Sequence, residues 1–295
     1  MKKCFLSSLA AASFLASPAI AQRDFDSVEI TTEEIAPGVA VLFGAGGNIG
    51  VSHGNDATVL IDDQFAPLTE KIEAAVEALG AKPVTYVINT HWHFDHTGGN
   101  EKLSEKGAMI IAHDHVRVRL IEGAPEGSRF PVPPAPEAAL PVVTYDRGLT
   151  LHLNGDTIDV RFLGGGHTDG DSIVHWREKN IVHMGDLYFT IPGWPFVDTH
   201  SGGSVKSLLL TLDTVLAMID DDTKVIPGHG GMSDKAELLA YRNMIGEAVA
   251  RVLALKNSGS TLEEAQAAEP LAGFDRGEGL IGADDFIEFI WISFE

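Results

Sequence analysis

The 295-residue sequence predicts an α/β fold of four layers, an αββα sandwich of two mixed β-sheets flanked by helices. Three observations predict it. Short β-rich runs separated by glycine fill two stretches, 39–63 and 142–184. Each stretch leads into a helical run and then a largely apolar strand. At strand ends in both halves stand histidines and aspartates beside glycine, so the order strands, helix, strand, polar site occurs twice. The repeat is one of topology, since the sequence does not align with itself.

The elements follow in order. Lys2 and Lys3, the apolar run "CFLSSLAAASFLA" and small residues at Ala19 and Ala21 have the pattern of a secretory signal peptide, residues 1–21, cleaved after Ala21. The apolar run is too short to span a bilayer. Residues 22–36 are polar and are expected to form a loose lead-in. "VAVLFGAG", "NIGVSH" and "ATVLIDD" read as antiparallel strands joined by tight turns. "APLTEKIEAAVEALG" carries apolar residues at helical spacing, with Gly80 as a C-terminal cap. "PVTYVIN" is a strand apolar enough to be buried on both faces, and the histidine cluster begins at its end. A short helix, the strand "AMIIAH" and the helical "DHVRVRLIEG" come next. Residues 123–141, with six prolines, read as a long loop, and such loops often cover functional sites. "VVTY", "LTLHL", "TIDVRFLG", "SIVHW" and "NIVHM" are strands, and "GSVKSLLLTLDTVLAMI" is a helix capped by Ser204. The strand "TKVI" runs into a loop. A long helix over 233–256 and two shorter helical segments close the chain. Residues 22–295 are therefore expected to form one domain with a helical C-terminal extension.

Composition narrows the function. A hydrophobic fraction of 44% and a charged fraction of 21% are those of a globular protein. The formal charge is −21, and loss of Lys2 and Lys3 takes it to −23. So acidic a chain lacks the basic footprint of a nucleic-acid or anionic-membrane binder. It suits a periplasmic or secreted protein acting on a small molecule. Cys4, the only cysteine, falls in the leader, so beyond it no disulfide forms and no thiolate ligates a metal.

The chemistry lies in "NTHWHFDHTGG". His91 and His93 are two apart and point to one side of an extended segment, with Asp95 and His96 directly after. Imidazole with carboxylate suits zinc, and less exclusively iron, manganese or nickel. Four ligands so close cannot all reach one ion without strain. His91 with His93 and Asp95 with His96 more naturally serve two neighbouring ions, and each pair then needs a partner. His167 in "GGGHTDGD", Asp186 in "HMGDLYF" and His229 in "IPGHGG" all follow strands and adjoin glycine, where the backbone can turn a side chain into a pocket.

"THWHFDH", "GHTDGD", the "GD" at Asp186 and "PGHG" resemble, in order, the motifs of the metallo-β-lactamase superfamily, across nearly all of the chain beyond its leader. The resemblance implies that His91, His93 and His167 hold a first zinc ion, that Asp95, His96 and His229 hold a second, and that Asp186 bridges them. It also implies a water or hydroxide between the ions as nucleophile, with Asp95 and Asp186 as catalytic carboxylates. The stretch around Asp186 is similar to that of the cysteine-bearing β-lactamases, but Asp186 stands at the cysteine's place. An aspartate there is what the superfamily's thioesterases, lactonases and other hydrolases use.

Other residues carry weaker signals. His113 and His115 form a second H-x-H without a following Asp–His pair, and are expected at the surface or behind the ligands. His152, His175 and His183 lie in strands. His53 and His200 adjoin glycine-rich loops and could border the pocket. Trp92, Phe94, Tyr188, Phe189, Trp194 and Phe196 could form an apolar substrate wall, and Tyr188 could donate to an oxyanion. Asp62 or Asp63 is expected to orient a ligand histidine.

The expected function is a periplasmic dinuclear zinc hydrolase that attacks a carbonyl, with β-lactams as the leading substrate. A glyoxalase-II-like thioesterase or a lactonase on the same metals is the first alternative, although the C-terminal third offers few basic residues to hold glutathione. A metal-binding protein without turnover is the non-enzymatic alternative.

Overall fold

The protein is described by a computed structural model over residues 24–295. The leader expected at 1–21 lies outside these residues. Strands β1 (Thr31–Ala36), β2 (Val39–Phe43), β3 (Ile49–His53), β4 (Thr58–Ile61), β5 (Val84–Ile88), β6 (Met109–His113) and β7 (Val143–Tyr145) form one sheet in chain order. β1 to β4 pair antiparallel, and β4 to β7 pair parallel. Parallel neighbours require crossovers. The helix Thr69–Ala78 supplies the one between β4 and β5, and the helix Asn100–Glu105 lies in the next.

The second sheet has β8 (Gly148–Leu153), β9 (Asp156–Phe162), β10 (Ser172–Trp176), β11 (Ile181–His183), β12 (Lys224–Ile226) and β13 (Ser233–Asp234), in the spatial order β13-β12-β11-β10-β9-β8. Only β11 and β12 pair parallel, with the helix Val205–Met218 between them. Both sheets are therefore mixed, as expected.

Alternation along the strands builds the layers. Val39, Val41, Val59 and Ile61 of the first sheet meet Ile158, Val160, Val174 and Trp176 of the second, forming the inner core. The intervening Ala40, Leu42 and Leu60 face the other way and pack on Leu68, Ile72 and Val76. On the far side, Ile173, Val182 and Val225 meet the helices Val205–Met218, Lys235–Asn257 and Ala283–Ser293. Each fully buried large side chain here contributes about 1.5–3 kcal/mol.

One expectation fails. The lead-in is not loose over Thr31–Ala36, which pairs with β2 as an edge strand. Its first four side chains are exposed, so no apolar alternation marked it.

β9 and β11 both run antiparallel to β10, and β11 runs parallel to β12. Their carboxyl ends therefore share one edge of the second sheet, and His167, Asp186 and His229 follow those ends. β5 delivers His91 and His93 from the first sheet. The crevice at the carboxyl ends of the strands gathers the polar residues of both halves.

Candidate metal centre

All seven residues singled out in the sequence converge. His93 Nδ1 lies 2.8 Å from His167 Nε2 and 3.2 Å from His91 Nε2, so three imidazoles aim at one point. On the other side, His229 Nε2 is 3.2 Å from His96 Nε2 and 3.3 Å from Asp95 Oδ2. Asp186 stands between the groups. Its Oδ2 is 3.5 Å from His167 and 3.8 Å from His91, while its Oδ1 is 3.1 Å from His96 and 3.5 Å from His229. One carboxylate thus offers an oxygen to each side.

Local backbone dictates this convergence. Asp95 and His96 sit on a single helical turn, Phe94–Thr97, which begins at His93. That turn rotates them away from His91 and His93, so four neighbours in sequence divide between two centres. Asn48 ties the β2–β3 loop to the His229 loop: its backbone N–H donates to Gly228, and its amide donates to the carbonyls of Pro227 and Gly230. Glycine is required at two close approaches. A Cβ at Gly47 would lie 2.1 Å from the His96 ring, and one at Gly228 would lie 2.0 Å from Asp186 Oδ1. Phe189 bridges backbone with His229 and stacks on its ring at 5.9 Å.

Four of the converging histidines are held from behind through their second nitrogen. His167 Nδ1 donates to the Phe196 carbonyl at 2.7 Å, and His93 Nε2 to Asp198 Oδ2 at 3.1 Å. His96 Nδ1 donates to Asp62 Oδ2 at 2.7 Å. Thr90 Oγ1 gives its proton to the same Asp62 oxygen and so accepts from His91 Nδ1 at 3.0 Å. Such partners fix the tautomer and leave the inward nitrogen with its lone pair. Asp62 is thus the orienting carboxylate expected at position 62 or 63. Asp63 instead accepts from Gly99 N–H. Asp198 carried no motif and escaped the sequence reading.

The two sides differ in charge. Burial, with His96 close by, pushes His91 well below the usual histidine range, and burial with His93 close by brings His167 to about 4. On the other side burial acts in the same sense but loses. Asp186, Asp62 and Asp95 hold His96 well above its ordinary value, and Asp186 and Asp95 raise His229 to about 9. Burial would raise the carboxyls of Asp95 and Asp186, yet these imidazoles keep both well below the usual range. A buried Asp186 Oδ1 without an aligned hydrogen bond completes the picture. Five imidazoles and two carboxylates converging from held positions fit two divalent cations of the zinc type.

A cavity of about 260 Å³ opens onto Asp95, Asp186, His93 and His229. Of the six aromatics expected in its wall, Phe94, Phe189 and Phe196 line it. The other three do not. Trp92 packs with Ala112, Val116 and Leu120, and Trp194 stacks on Phe286. Tyr188 turns its hydroxyl to Ser233 and packs against Tyr241, which removes it as an oxyanion donor. Neither His53 nor His200 lines the cavity. His183 Nε2 donates to the Asn48 carbonyl at 3.0 Å, and His113 Nε2 to the Asp146 carbonyl at 2.8 Å. Phe130, Ile191 and Leu280 line the cavity unanticipated. Phe130 comes from the proline-rich loop and Leu280 from the C-terminal segment.

Comparison with known proteins agrees with this arrangement. The family model of the metallo-beta-lactamase superfamily matches residues 42–229. A hydroxyacylglutathione hydrolase of a Polaromonas species is 30% identical over 169 residues, covering 55% of each chain. A metallo-beta-lactamase type 2 of Bacteroides fragilis is 29% identical over 171 residues, covering 57% of this chain and 61% of that one. The chain thus spans less than two thirds of the length of these curated relatives. A metallo-beta-lactamase from Pontibacter korlensis superposes with a TM-score of 0.62 at 20% identity, over 74% of this chain and 99% of that one. A sec-alkylsulfatase from a Pseudomonas species gives 0.67 at 16% identity, over 89% and 50%. At these identities the structural likeness is one of fold.

Proposed function

The chain belongs to the metallo-β-lactamase superfamily, and on that premise we propose that it is a dinuclear, zinc-dependent hydrolase of a small carbonyl compound. The observation that carries this reading is Asp186, whose two oxygens face the two halves of the centre. His91, His93 and His167 would hold one ion, Asp95, His96 and His229 the other, and Asp186 both. Two such ions, when bound, lower the pKa of a coordinated water towards 7 and polarise the scissile carbonyl. The protein's own residues do the rest. Asp62, Asp198 and the Phe196 carbonyl fix the imidazoles, so no reorganisation is needed during reaction. Asp95 lines the cavity, where its carboxylate would accept the proton lost by the attacking water.

β-Lactams, lactones and glutathione thioesters all present a suitable carbonyl. The relatives carry names from the first and third classes. The leader-like residues 1–21 support a periplasmic or secreted location. The test is direct. The zinc-loaded protein is assayed against a β-lactam, a lactone and a glutathione thioester, before and after chelation. Turnover of at least one, lost on chelation and restored by zinc, is the expected result. A protein that binds two ions and turns over none of the three would point to another substrate class, or to metal binding without turnover.

A further inference from the structure

The cavity has a simple composition. Its polar lining side chains are His93, Asp95, Asp186 and His229, all of them among the seven converging residues. Every other lining side chain is apolar: Phe94, Phe130, Phe189, Phe196, Ile191 and Leu280, with Ala45. Among the described residues no lysine, arginine, serine, threonine, asparagine or glutamine lines it. Once the seven are engaged in holding ions, no side chain remains to pair with a charge on the substrate.

Two arginines that brace the lining segments are committed elsewhere. Arg129, beside Phe130, donates to Asp285 Oδ1 at 3.1 Å and to the Leu280 carbonyl at 2.9 Å. Arg276 donates to the Gly193 carbonyl at 2.7 Å and 2.9 Å and to that of Ile191 at 3.3 Å. These bonds hold the cavity's apolar edge in place. The Arg129 pair joins the proline-rich loop to the C-terminal segment, and so fixes Phe130 and Leu280 across the mouth. Phe130 packs at 5.8 Å on Phe196 and at 6.1 Å on Phe94. At the rim Ile191 is 39% exposed and Leu280 59% exposed, an apolar entrance on a chain of net charge −21.

From this lining we infer that the substrate is compact and that the part of it beyond the scissile carbonyl is uncharged and apolar, held between the phenylalanines and Leu280. The inference rests on the hydrolase reading above and narrows its substrate class. A carboxylate lodged among these rings would lose its water without gaining a partner. The cavity also falls below the roughly 300–1,000 Å³ usual for drug-sized ligands. Phe130, Phe196 and Leu280 are the specificity-determining residues. Carboxylate-bearing β-lactams and glutathione thioesters become poorer substrates than neutral esters or lactones.

Binding tests this apart from turnover. The zinc-loaded full chain is titrated calorimetrically with 2-phenylethanethiol and with 4-(2-mercaptoethyl)benzoate, two thiols that share a metal-binding head and differ by one carboxylate. The neutral thiol is expected to bind at least tenfold more tightly. Equal binding, or tighter binding of the benzoate, would overturn the inference. The substitutions Phe130→Lys and Leu280→Lys, on separate segments, each place a cation at the wall. Whichever folds with unchanged zinc content is expected to bring the ratio to one or below, and an unmoved ratio in both overturns the role given to these side chains. An uncharged aryl ester and its carboxylate-bearing counterpart are assayed in parallel. Hydrolysis of neither, with the tenfold binding difference intact, removes the hydrolase reading and leaves the inferred selectivity standing.

Discussion

The two halves of the metal centre are built from different materials. His91, His93 and His167 bring imidazoles alone, almost wholly buried, and each is held from behind by a different acceptor. Asp95, His96 and His229 bring a carboxylate, and the side chains of Asp95 and His229 are 24% and 20% exposed at the cavity. One half is a fixed socket, while the other faces the space where substrate would sit. The difference teaches that equal ligand counts do not make equal sites. Near pH 7 His91 and His167 of the first half are already deprotonated, whereas the imidazoles of the second keep protons against their carboxylates. An ion entering the second half must displace them.

The comparison breaks most completely at the shared residue. Asp186→Ala takes a carboxylate from both halves. Hydrolysis should fall more than a hundredfold, beyond the 10–100-fold usual for residues behind the ligands, and zinc content should drop, the second half emptying first. Elemental analysis with steady-state kinetics checks both.

A substitution that leaves all seven residues in place comes next. In Gly228→Ala the new methyl would stand 2.0 Å from Asp186 Oδ1, the oxygen that faces the second half. Overpacking of this kind costs about 1–3 kcal/mol, read as a lower melting temperature. The second ion should be lost while the first is retained.

Asp62→Asn should act more softly and more unevenly. Three donors meet on the Asp62 carboxylate, from Thr90 N–H, Thr90 Oγ1 and His96 Nδ1. An amide offers one acceptor oxygen in place of two. His96 is held by Asp62 directly and His91 only through Thr90, while His93 and His167 have other partners. Zinc affinity should fall about 10–100-fold in the second half and less in the first, measured by competition with a chromophoric chelator.

pH should separate the halves without any substitution. His229 carries a proton below about 9, so affinity in the second half should rise with pH through neutrality and level off near 9. His167 is neutral above about 4, and burial keeps His91 well below the usual histidine range, so affinity in the first half should depend less steeply on pH between 6 and 8. Calorimetry in buffers of differing ionisation enthalpy should show more proton release with the second ion than with the first.

Much of this site was legible in the sequence because its ligands follow strands and adjoin glycine, where composition marks a turn. The spacing of His91 and His93 already put them on one side, and the helical turn Phe94–Thr97 explains why Asp95 and His96 point elsewhere. The cavity wall was not legible in the same way. Trp92, Tyr188 and Trp194 stand near ligands in sequence, but adjacency does not say which way a side chain points, and all three point into cores. Phe130 and Leu280 lie in segments without periodicity, brought together by Arg129, Asp285 and backbone carbonyls far apart in the chain. The edge strand Thr31–Ala36 was hidden because solvent covers most of it. Asp198 was hidden because a carboxylate behind a histidine has no fixed spacing from it.

Two unlike halves meet at Asp186, and zinc titration of the full chain tests their difference most directly. Saturation at two ions per chain, in two resolvable steps of which the weaker releases more protons, is the predicted result. Saturation at one ion or fewer, or two ions bound with no difference in proton release, would contradict it.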